Sequence, residues 1–397
     1  MARLLSNKQR ITLVSFLAYF VMSGMLAPIG IISGPMGELF DKPITDVTAQ
    51  FSWLTVGNLT GAVLALFLFD WVRIKTMMAL LYALILLSLL SLNLAGELTA
   101  IGVALGVVGV CSGLGLAGAA LVISRTYEAD HRASMLVITD GCFSVAGFVC
   151  AAIATWLVVR DVHWAGTYQF VALVAAAILL LTASSSFPST RARNPDTAEH
   201  QRWPLSVWFC IAALFLYTLG QYSMLWWLPN YVETRLGATP EQAGSLVSLF
   251  WMGMFAAQVL VAWWVIRVGV RHLVLAAGVT TSLFSTPLWL YSDVAVLPLF
   301  AFLWGVANLS LLKVVLSYAT QMLRLPTPRL VSSLLLGATL GTAVSPWVTS
   351  RIVVATNNYI ILQFSTACYV VLAVLLFVAA WLLPAPEVTG TVRSENK

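Results

Sequence analysis

The chain has 397 residues, of which 60% are apolar and only 9% are Asp, Glu, Lys or Arg. An average soluble domain has about 25% charged residues, so this composition excludes an ordinary water-facing globule and favours helices that face lipid, where charge is costly. The net charge of +5 predicts no nucleic-acid partner, because the basic residues are spread over the loops between apolar segments.

Apolar segments long enough to cross a bilayer recur along the whole chain. A bilayer core of about 30 Å needs about 20 residues of apolar helix. The first segment is too long for the core of a cleavable signal peptide, so we interpret it as an uncleaved span. Twelve segments qualify, at residues 11–33, 47–71, 76–94, 99–123, 134–158, 167–187, 205–229, 242–266, 272–291, 295–319, 330–350 and 358–384.

The basic residues predict how the spans are oriented. When the N-terminus is placed in the cytoplasm, 16 of the 21 Lys and Arg fall in cytoplasmic segments, 4 fall outside and Lys313 lies within a span. The positive-inside rule favours this arrangement. We therefore predict a multi-pass protein of the cell inner (plasma) membrane with both termini in the cytoplasm.

A polar segment in the middle of the chain divides it into two similar halves. Residues 188–204 (PSTRARNPDTAEHQRWP) have no apolar face and are typical of a flexible linker. The halves repeat at an offset of about 196, with Leu54 and Gly57 matching Phe250 and Gly253. The predicted fold class is all-α integral membrane, with twelve transmembrane helices in two six-helix bundles. The predicted domains are a bundle at 1–187, a cytoplasmic linker at 188–204, and a second bundle with a short tail at 205–397.

Several segments carry a family resemblance. The turn after span 2 reads LFLFDWVRIK (66–75), and the turn after span 8 reads RVGVR (267–271). With the six-plus-six pattern, these turns resemble the major facilitator superfamily. Residues 116–147 and 222–253 resemble its fucose-permease branch, and especially the TsgA-like transporters. The resemblance implies the major facilitator fold, alternating access to a site between the halves, and a monomer.

The resemblance also implies a gating role for the turn after span 2. Asp70 and Lys75 occupy positions of a family motif that clamps against a neighbouring span and releases during transport, and Arg73 replaces the glycine of that motif. We predict a gating role for Asp70, Arg73 and Lys75. The alternative is a solvated helix end. The acid that serves proton coupling in span 4 of fucose permease is missing from GLGLAGAAL (113–121).

Two ionisable residues lie deep within predicted spans, where a charge needs a partner or water. Asp140 in span 5 and Lys313 in span 10 lie about 12 Å and about 16 Å from the cytoplasmic ends of their helices at 1.5 Å per residue. Because the resemblance places these spans on opposite sides of the cavity, we predict an ion pair that forms when the cytoplasmic side is closed and that solute or a proton breaks. The alternatives are a structural partner for Asp140 and snorkelling of Lys313 to headgroups.

Other polar and aromatic residues within the spans are candidates for solute binding. Each amide or hydroxyl has the alternative of an interhelical hydrogen bond, worth about 0.6 kcal/mol on average, and each Trp that of an interfacial anchor. The candidates are Tyr19, Asn58, Gln221, Tyr222, Trp226, Asn230, Trp251, Gln258, Trp304 and Asn308.

The motifs in the sequence, and those missing from it, narrow the class of function. The GLGLAG sequence at 113–118 lies inside an apolar span, which favours close helix packing over dinucleotide binding. No phosphate-binding loop or metal motif is present in the sequence, so we predict no enzyme activity, no cofactor and no metal. The predicted function is secondary active transport of a small polar solute, with proton symport expected from resemblance. Efflux of amphipathic compounds by drug/proton antiport, or a non-translocating sensor, are the alternatives.

Overall fold

The protein is described by a computed structural model that covers residues 5–69, 71–188, 203–323 and 328–382. Within these ranges the chain is helical and contains no β-strand. The helices are α1 Asn7–Leu26, α2 Ile29–Phe40, α3 Ile44–Leu68, α4 Ile74–Ser91, α5 Leu98–Thr126, α6 Ala129–Val158, α7 Gly166–Ala183, α8 Leu205–Leu236, α9 Pro240–Val268, α10 Val270–Ser285, α11 Pro287–Leu290, α12 Leu297–Ala307, α13 Leu311–Gln321, α14 Pro328–Ala355 and α15 Asn358–Trp381.

Twelve spans in the described part of the chain are long and apolar enough to cross a membrane. The predicted fold class is therefore confirmed. Spans 1 to 8 are α1 and α3 to α9, span 9 is α10 with α11, span 10 is α12 with α13, and spans 11 and 12 are α14 and α15. We call the end of the bundle where α1 begins and α7 ends the amino-terminal side, and the other end the opposite side.

Three spans that we predicted as continuous helices are broken, and one of them, predicted at 272–291, divides at Thr286 between α10 and α11. The segment predicted at 11–33 divides at Ala27 and Pro28, because proline has no N–H to continue the helical hydrogen-bond ladder. The segment predicted at 295–319 divides at 308–310, where Leu309 and Ser310 have φ of 44° and 54°. A left-handed conformation at two successive residues ends a right-handed helix, so α13 leaves α12 in a new direction.

The first bundle is held by backbone contact between α3 and α5. A Cβ atom added to Gly109 would lie 2.9 Å from the carbonyl carbon of Leu54 and 3.0 Å from the amide nitrogen of Asn58. Only glycine allows this close an approach of two helices, and such interfaces of small residues are usual in membranes. The contact fixes Asn58 against α5.

The second bundle repeats this contact between α9 and α12. A Cβ atom added to Gly305 would lie 2.9 Å from the amide nitrogen of Met254 and 3.0 Å from Cα of Gly253. Gly109 and Gly305 are 196 positions apart, as are Gly57 and Gly253. The repeat found in the sequence therefore corresponds to the same helix contact in each half. The boundaries 1–187, 188–204 and 205–397 stay a prediction, since residues 189–202 lie outside the described ranges.

Matched basic residues fasten the last helix of each half. Lys75 Nζ donates to the carbonyl oxygen of Ala183 at 3.1 Å, and Arg271 donates to that of Ala380 at 2.9 Å. Cations at helix C-termini satisfy free carbonyls and the negative end of the helix dipole. The end of span 6 therefore contacts the start of span 3, and the end of span 12 contacts the start of span 9.

Candidate transport cavity

A cavity of about 520 Å³ lies between the two halves. Its walls come from both bundles, with α1, α3, α5 and α6 on one side and α8, α9, α13 and α14 on the other. The lining reaches Phe69 at the end of α3, Leu121 near the end of α5 and Ser332 near the start of α14. All three positions lie toward the amino-terminal side, so the cavity runs from the middle of the bundle to that side.

The halves close against each other on the opposite side. The indole of Trp226 donates to the carbonyl oxygen of Leu26 at 3.0 Å, and Thr55 donates to that of Ala343 at 3.0 Å. Trp251 packs directly on Gly147, since a Cβ atom there would lie 2.6 Å from Cγ of the indole. The described residues thus form a floor of inter-half contacts beneath the cavity.

Asp140 and Lys313 meet where this floor ends and the cavity begins. Lys313 Nζ lies 3.0 Å from Asp140 Oδ1, and Gln258 Nε2 donates to Asp140 Oδ2 at 3.4 Å. The Lys313 side chain is 38% exposed and the Asp140 side chain 20% exposed. Both residues line the cavity. The pair therefore joins the two halves within the cavity, where both side chains stay partly exposed.

The conformation in which this pair occurs differs from the one that we predicted. We expected the pair in a form that is closed at the cytoplasmic end. The structure has it in a form whose cavity runs to the amino-terminal side, the end predicted to be cytoplasmic. The physical reason is depth: on α6, Asp140 lies only two turns from Gly147, so it stays within reach of the closed floor.

The break in span 10 positions Lys313. Leu309 and Ser310 interrupt the helix, and α13 begins at Leu311. The amide nitrogen of Lys313 donates to the carbonyl oxygen of Ser310 at 2.8 Å, which starts the new helix. Lys313 therefore lies in the first turn of α13, beside the break, and Ser310 itself lines the cavity.

Six of the ten predicted solute-binding residues line the cavity: Tyr19, Asn58, Gln221, Tyr222, Trp251 and Gln258. The side-chain oxygens of Asn58, Gln221 and Gln258 have no hydrogen-bond donor among the described residues, and the indole nitrogen of Trp251 has no acceptor there. A buried polar atom without a partner costs free energy unless a ligand or water satisfies it. These atoms indicate that the cavity is built for a polar occupant.

The other four predicted residues lie outside the cavity lining. Trp226 is fully buried and forms the inter-half bond to Leu26 described above. Asn230 accepts a bond of 2.9 Å from Asn358 near the opposite side. Trp304 packs on Phe250 within the second half, with ring centroids 4.1 Å apart and the rings tilted by 38°.

Asn308, the fourth of these residues, is buried at the break in span 10. Its amide donates to the carbonyl oxygen of Trp304 at 2.7 Å. It thus satisfies a carbonyl at the end of α12, where the helical ladder stops. The location of Asn308 in a cavity-lining span did not predict whether its side chain faces the cavity.

The gating turn lies partly outside the described residues. Asp70 is not within the described ranges. Arg73 is exposed at the start of α4, and Lys75 bonds to Ala183 of the same half. The gating role of Asp70, Arg73 and Lys75 stays a prediction.

Sequence reasoning missed several cavity residues. Tyr217, Ser144, Ser310 and Phe143 line the cavity beside the predicted set. Phe143 packs on Trp251 across the halves, with centroids 5.7 Å apart. One turn of α6 or α8 separates Ser144 from Asp140 and Tyr217 from Gln221, so helical spacing from the predicted residues could have found both.

Comparison with known proteins identifies the family. The family model described as Major Facilitator Superfamily matches residues 11–237 and 210–397. The chain belongs to this superfamily. It is a multi-pass membrane protein of a superfamily of secondary transporters.

Within the superfamily, the chain is similar to TsgA proteins. It is 29% identical over 382 residues to Protein TsgA of Shigella flexneri, which covers 94% of this chain and 95% of that protein. It is 28% identical over 380 residues to the TsgA homolog of Citrobacter koseri, with the same coverage. The predicted resemblance to the TsgA-like branch is confirmed.

Solved structures of superfamily members share the fold. A mutant of the nucleoside transporter NupG matches with a TM-score of 0.73 at 12% identity, covering 94% of this chain and 100% of that chain. A D-xylose-proton symporter matches with a TM-score of 0.72 at 12% identity, covering 93% and 96%. At this identity the likeness establishes the major facilitator fold.

Proposed function

We propose that this major facilitator protein is a secondary active transporter that moves a small polar solute together with a proton by alternating access. The observation that carries the proposal is the ion pair of Asp140 and Lys313, which joins the two halves inside the cavity. An ion pair between moving parts can be broken by a proton on the acid or by a ligand on either charge. Solute and proton can therefore act on the same inter-half contact.

Asp140 is the group best suited to carry the proton. Among the described residues, the titratable groups around it include Lys313 on α13, Tyr19 on α1, Tyr217 and Tyr222 on α8, and Cys142 on α6. Phenols and thiols ordinarily titrate near 10 and near 8.5, above the range in which a membrane proton gradient works. In the described lining of the cavity, Asp140 therefore provides the carboxylate for a proton.

The remaining parts of the proposal concern the membrane, the oligomeric state and the partners of the protein. The excess of basic residues on the amino-terminal side supports insertion in the cell inner membrane with cytoplasmic termini, so that the cavity described above faces the cytoplasm. We propose a protein that works as a monomer, without enzyme activity or a nucleic-acid partner. The lipid bilayer and the solute are its partners.

Proton movement in proteoliposomes tests the proposed function. The purified chain is reconstituted with a pH-sensitive dye in the lumen, and a library of small polar solutes is added outside. We expect at least one solute to acidify the lumen, and Asp140→Asn to abolish this signal. Asp41→Asn is the matched control, because Asp41 is an exposed carboxylate in a left-handed position that Asn tolerates.

The other outcomes separate the alternatives. Extrusion of amphipathic compounds driven by an opposed pH gradient would favour efflux. Binding without any solute-linked proton movement would favour a sensor. Proton movement that Asp140→Asn leaves at the level of Asp41→Asn would contradict the role of Asp140.

A further inference from the structure

We propose that the transported solute carries a carboxylate, which displaces Asp140 from Lys313, and that one anion and one proton enter the cavity together. This inference rests on the proposed function and names the chemical class of its solute. It depends on how the two charges of the pair are surrounded, and on what each can still bind.

The ammonium of Lys313 is the less satisfied partner. An ammonium has three donors, and Asp140 is the acceptor found for it among the described residues. Both oxygens of Asp140 already have a donor, Lys313 at 3.0 Å and Gln258 at 3.4 Å. The Lys313 side chain is also the more exposed of the two, at 38% against 20%. A ligand entering the cavity therefore finds two unused donors on the cation, whereas each oxygen of the acid already accepts one bond.

Neighbouring side chains add donors to the same space. Tyr19, Tyr217 and Tyr222, each with a hydroxyl, line the cavity together with Trp251, whose indole nitrogen has no acceptor in the described part of the chain. Bonds from such donors to an anionic oxygen are stronger than bonds to a neutral one. The lining thus offers a carboxylate one charged donor and several neutral donors.

Charge balance explains why a proton would accompany the anion. The empty pair has no net charge, and an anion alone would give the cavity a net charge of −1. An uncompensated charge in a low-dielectric interior is costly. A proton that binds Asp140 Oδ1 as this oxygen loses Lys313 restores neutrality, while the ammonium passes to the solute carboxylate.

The other two charge classes fit less well. A cationic solute would have to compete for Asp140 oxygens that are already bonded, and it would lie beside the Lys313 ammonium. A neutral solute could bind without breaking the pair, so it would give no reason for a proton to bind. The geometry therefore selects an anion.

A binding experiment without any gradient tests this inference separately from transport. The melting temperature of the full-length protein in detergent is measured in the presence of lactate, benzoate or nicotinate. The same measurement is made with the matched neutral amides lactamide, benzamide and nicotinamide. We expect at least one acid, and not its amide, to raise the melting temperature in a saturable manner. Lys313→Gln should lower the affinity for that acid at least about tenfold, the loss expected for a charged hydrogen bond. Lys42→Gln should leave this affinity unchanged, because Lys42 is exposed and lies outside the cavity.

Asp140→Asn gives the opposite expectation, because it removes the competitor for Lys313. Acid binding to this variant should tighten, and the neutral double variant Asp140→Asn with Lys313→Gln should bind acid no better than amide. The double variant also serves if a single variant fails to fold. The inference is wrong if no acid binds, if amides bind as well as acids, or if Asp140→Asn weakens acid binding.

A second measurement concerns charge movement in proteoliposomes. Uptake of the binding acid should respond to a pH gradient and not to a membrane potential set by potassium and valinomycin, since one anion and one proton together carry no charge. Uptake driven by the potential would overturn the inference. Proton-coupled uptake of a neutral solute would overturn it as well, while leaving the proposed function intact.

Discussion

One contact on the closed side of the cavity depends on a glycine. Gly147 of α6 faces Trp251 of α9, and the indole is buried between Phe143 and Phe250. A methyl group at Gly147 would lie 2.6 Å from Cγ of this ring, so the indole or one of the two helices would have to shift. The contact between the halves at this level therefore requires a residue without a side chain.

We predict that Gly147→Ala disfavours the conformation with the opposite side closed. Transport should fall several-fold, because overpacking of this kind costs about 1–3 kcal/mol. Gly141→Ala is the matched control on the same helix, since its Cβ atom would make ordinary contacts of 3.8 Å and 3.9 Å with Gln258 and Phe255. Initial rates of solute uptake for the two variants provide the measurement, and equal rates would contradict the prediction.

The ion pair is a second feature at this scale. Asp140 and Lys313 are far apart in the sequence. Their charge and depth in the spans predicted the contact only together with the family resemblance, which places their spans on opposite sides of the cavity. The exposure of each side chain and the bond from Gln258 could not be predicted, because they depend on which face of α9 and α13 meets the cavity.

At the scale of helices, close pairs of glycines determine which spans touch. The contact of Gly109 with Leu54 and Asn58 in the first half has its counterpart at Gly305 in the second. Membrane helices gain little from burying apolar surface against each other, so close backbone packing contributes a large part of their association. The repeated glycines therefore hold α3 on α5 and α9 on α12.

We predict that Gly109→Ala and Gly305→Ala each lower the melting temperature of the purified protein. A methyl group would have to separate two backbones, at a cost of about 1–3 kcal/mol. Gly106→Ala is the control on the same helix as Gly109, because its Cβ atom would lie 3.7 Å from Cβ of Trp53. A melting temperature for Gly109→Ala that matches the one for Gly106→Ala would refute this explanation of the interface.

The break in span 10 belongs to the same scale. The apolar run at 295–319 gave no sign of it, since neither Gly nor Pro occurs at 308–310. Two non-glycine residues in the left-handed region persist only when the surroundings hold them there. Here Asn308 caps the carbonyl of Trp304, and Thr280 donates to the carbonyl oxygen of Ala307 at 2.8 Å.

At the scale of the whole molecule, the cavity has one accessible side. Ser332 and Thr349 lie on the same helix, α14, but Ser332 lines the cavity near the amino-terminal side, whereas Thr349 is fully buried toward the opposite side. This difference follows from the closed floor formed by Trp226, Thr55 and Trp251.

We predict that Ser332→Cys reacts with a membrane-impermeant thiol reagent and that Thr349→Cys does not. The reaction should occur in inside-out vesicles and not in right-side-out vesicles, because the cavity runs to the side proposed to be cytoplasmic. Labelling is measured as the increase over the parent protein, which has five cysteines of its own. Faster labelling of Thr349→Cys, or labelling of Ser332→Cys only from outside, would disagree with the structure or with the orientation.

The sequence by itself determined that lipid surrounds the helices of this protein, and it determined the number and order of the spans. Lipid requires long apolar helices and tolerates few charges, so composition, span length and the two buried charges could be read along the chain. The repeat at 196 positions also gave the pairing of Gly57 with Gly253 that the fold bears out.

Only the tertiary structure decided which side chains share the cavity and which side is closed. All faces of these helices are apolar, because lipid and protein interior offer similar surroundings, so periodicity did not separate Gln221 in the cavity from Asn308 outside it. The direction of the cavity depends on contacts between residues of different halves, such as Trp226 with Leu26. No local pattern along a chain records such contacts.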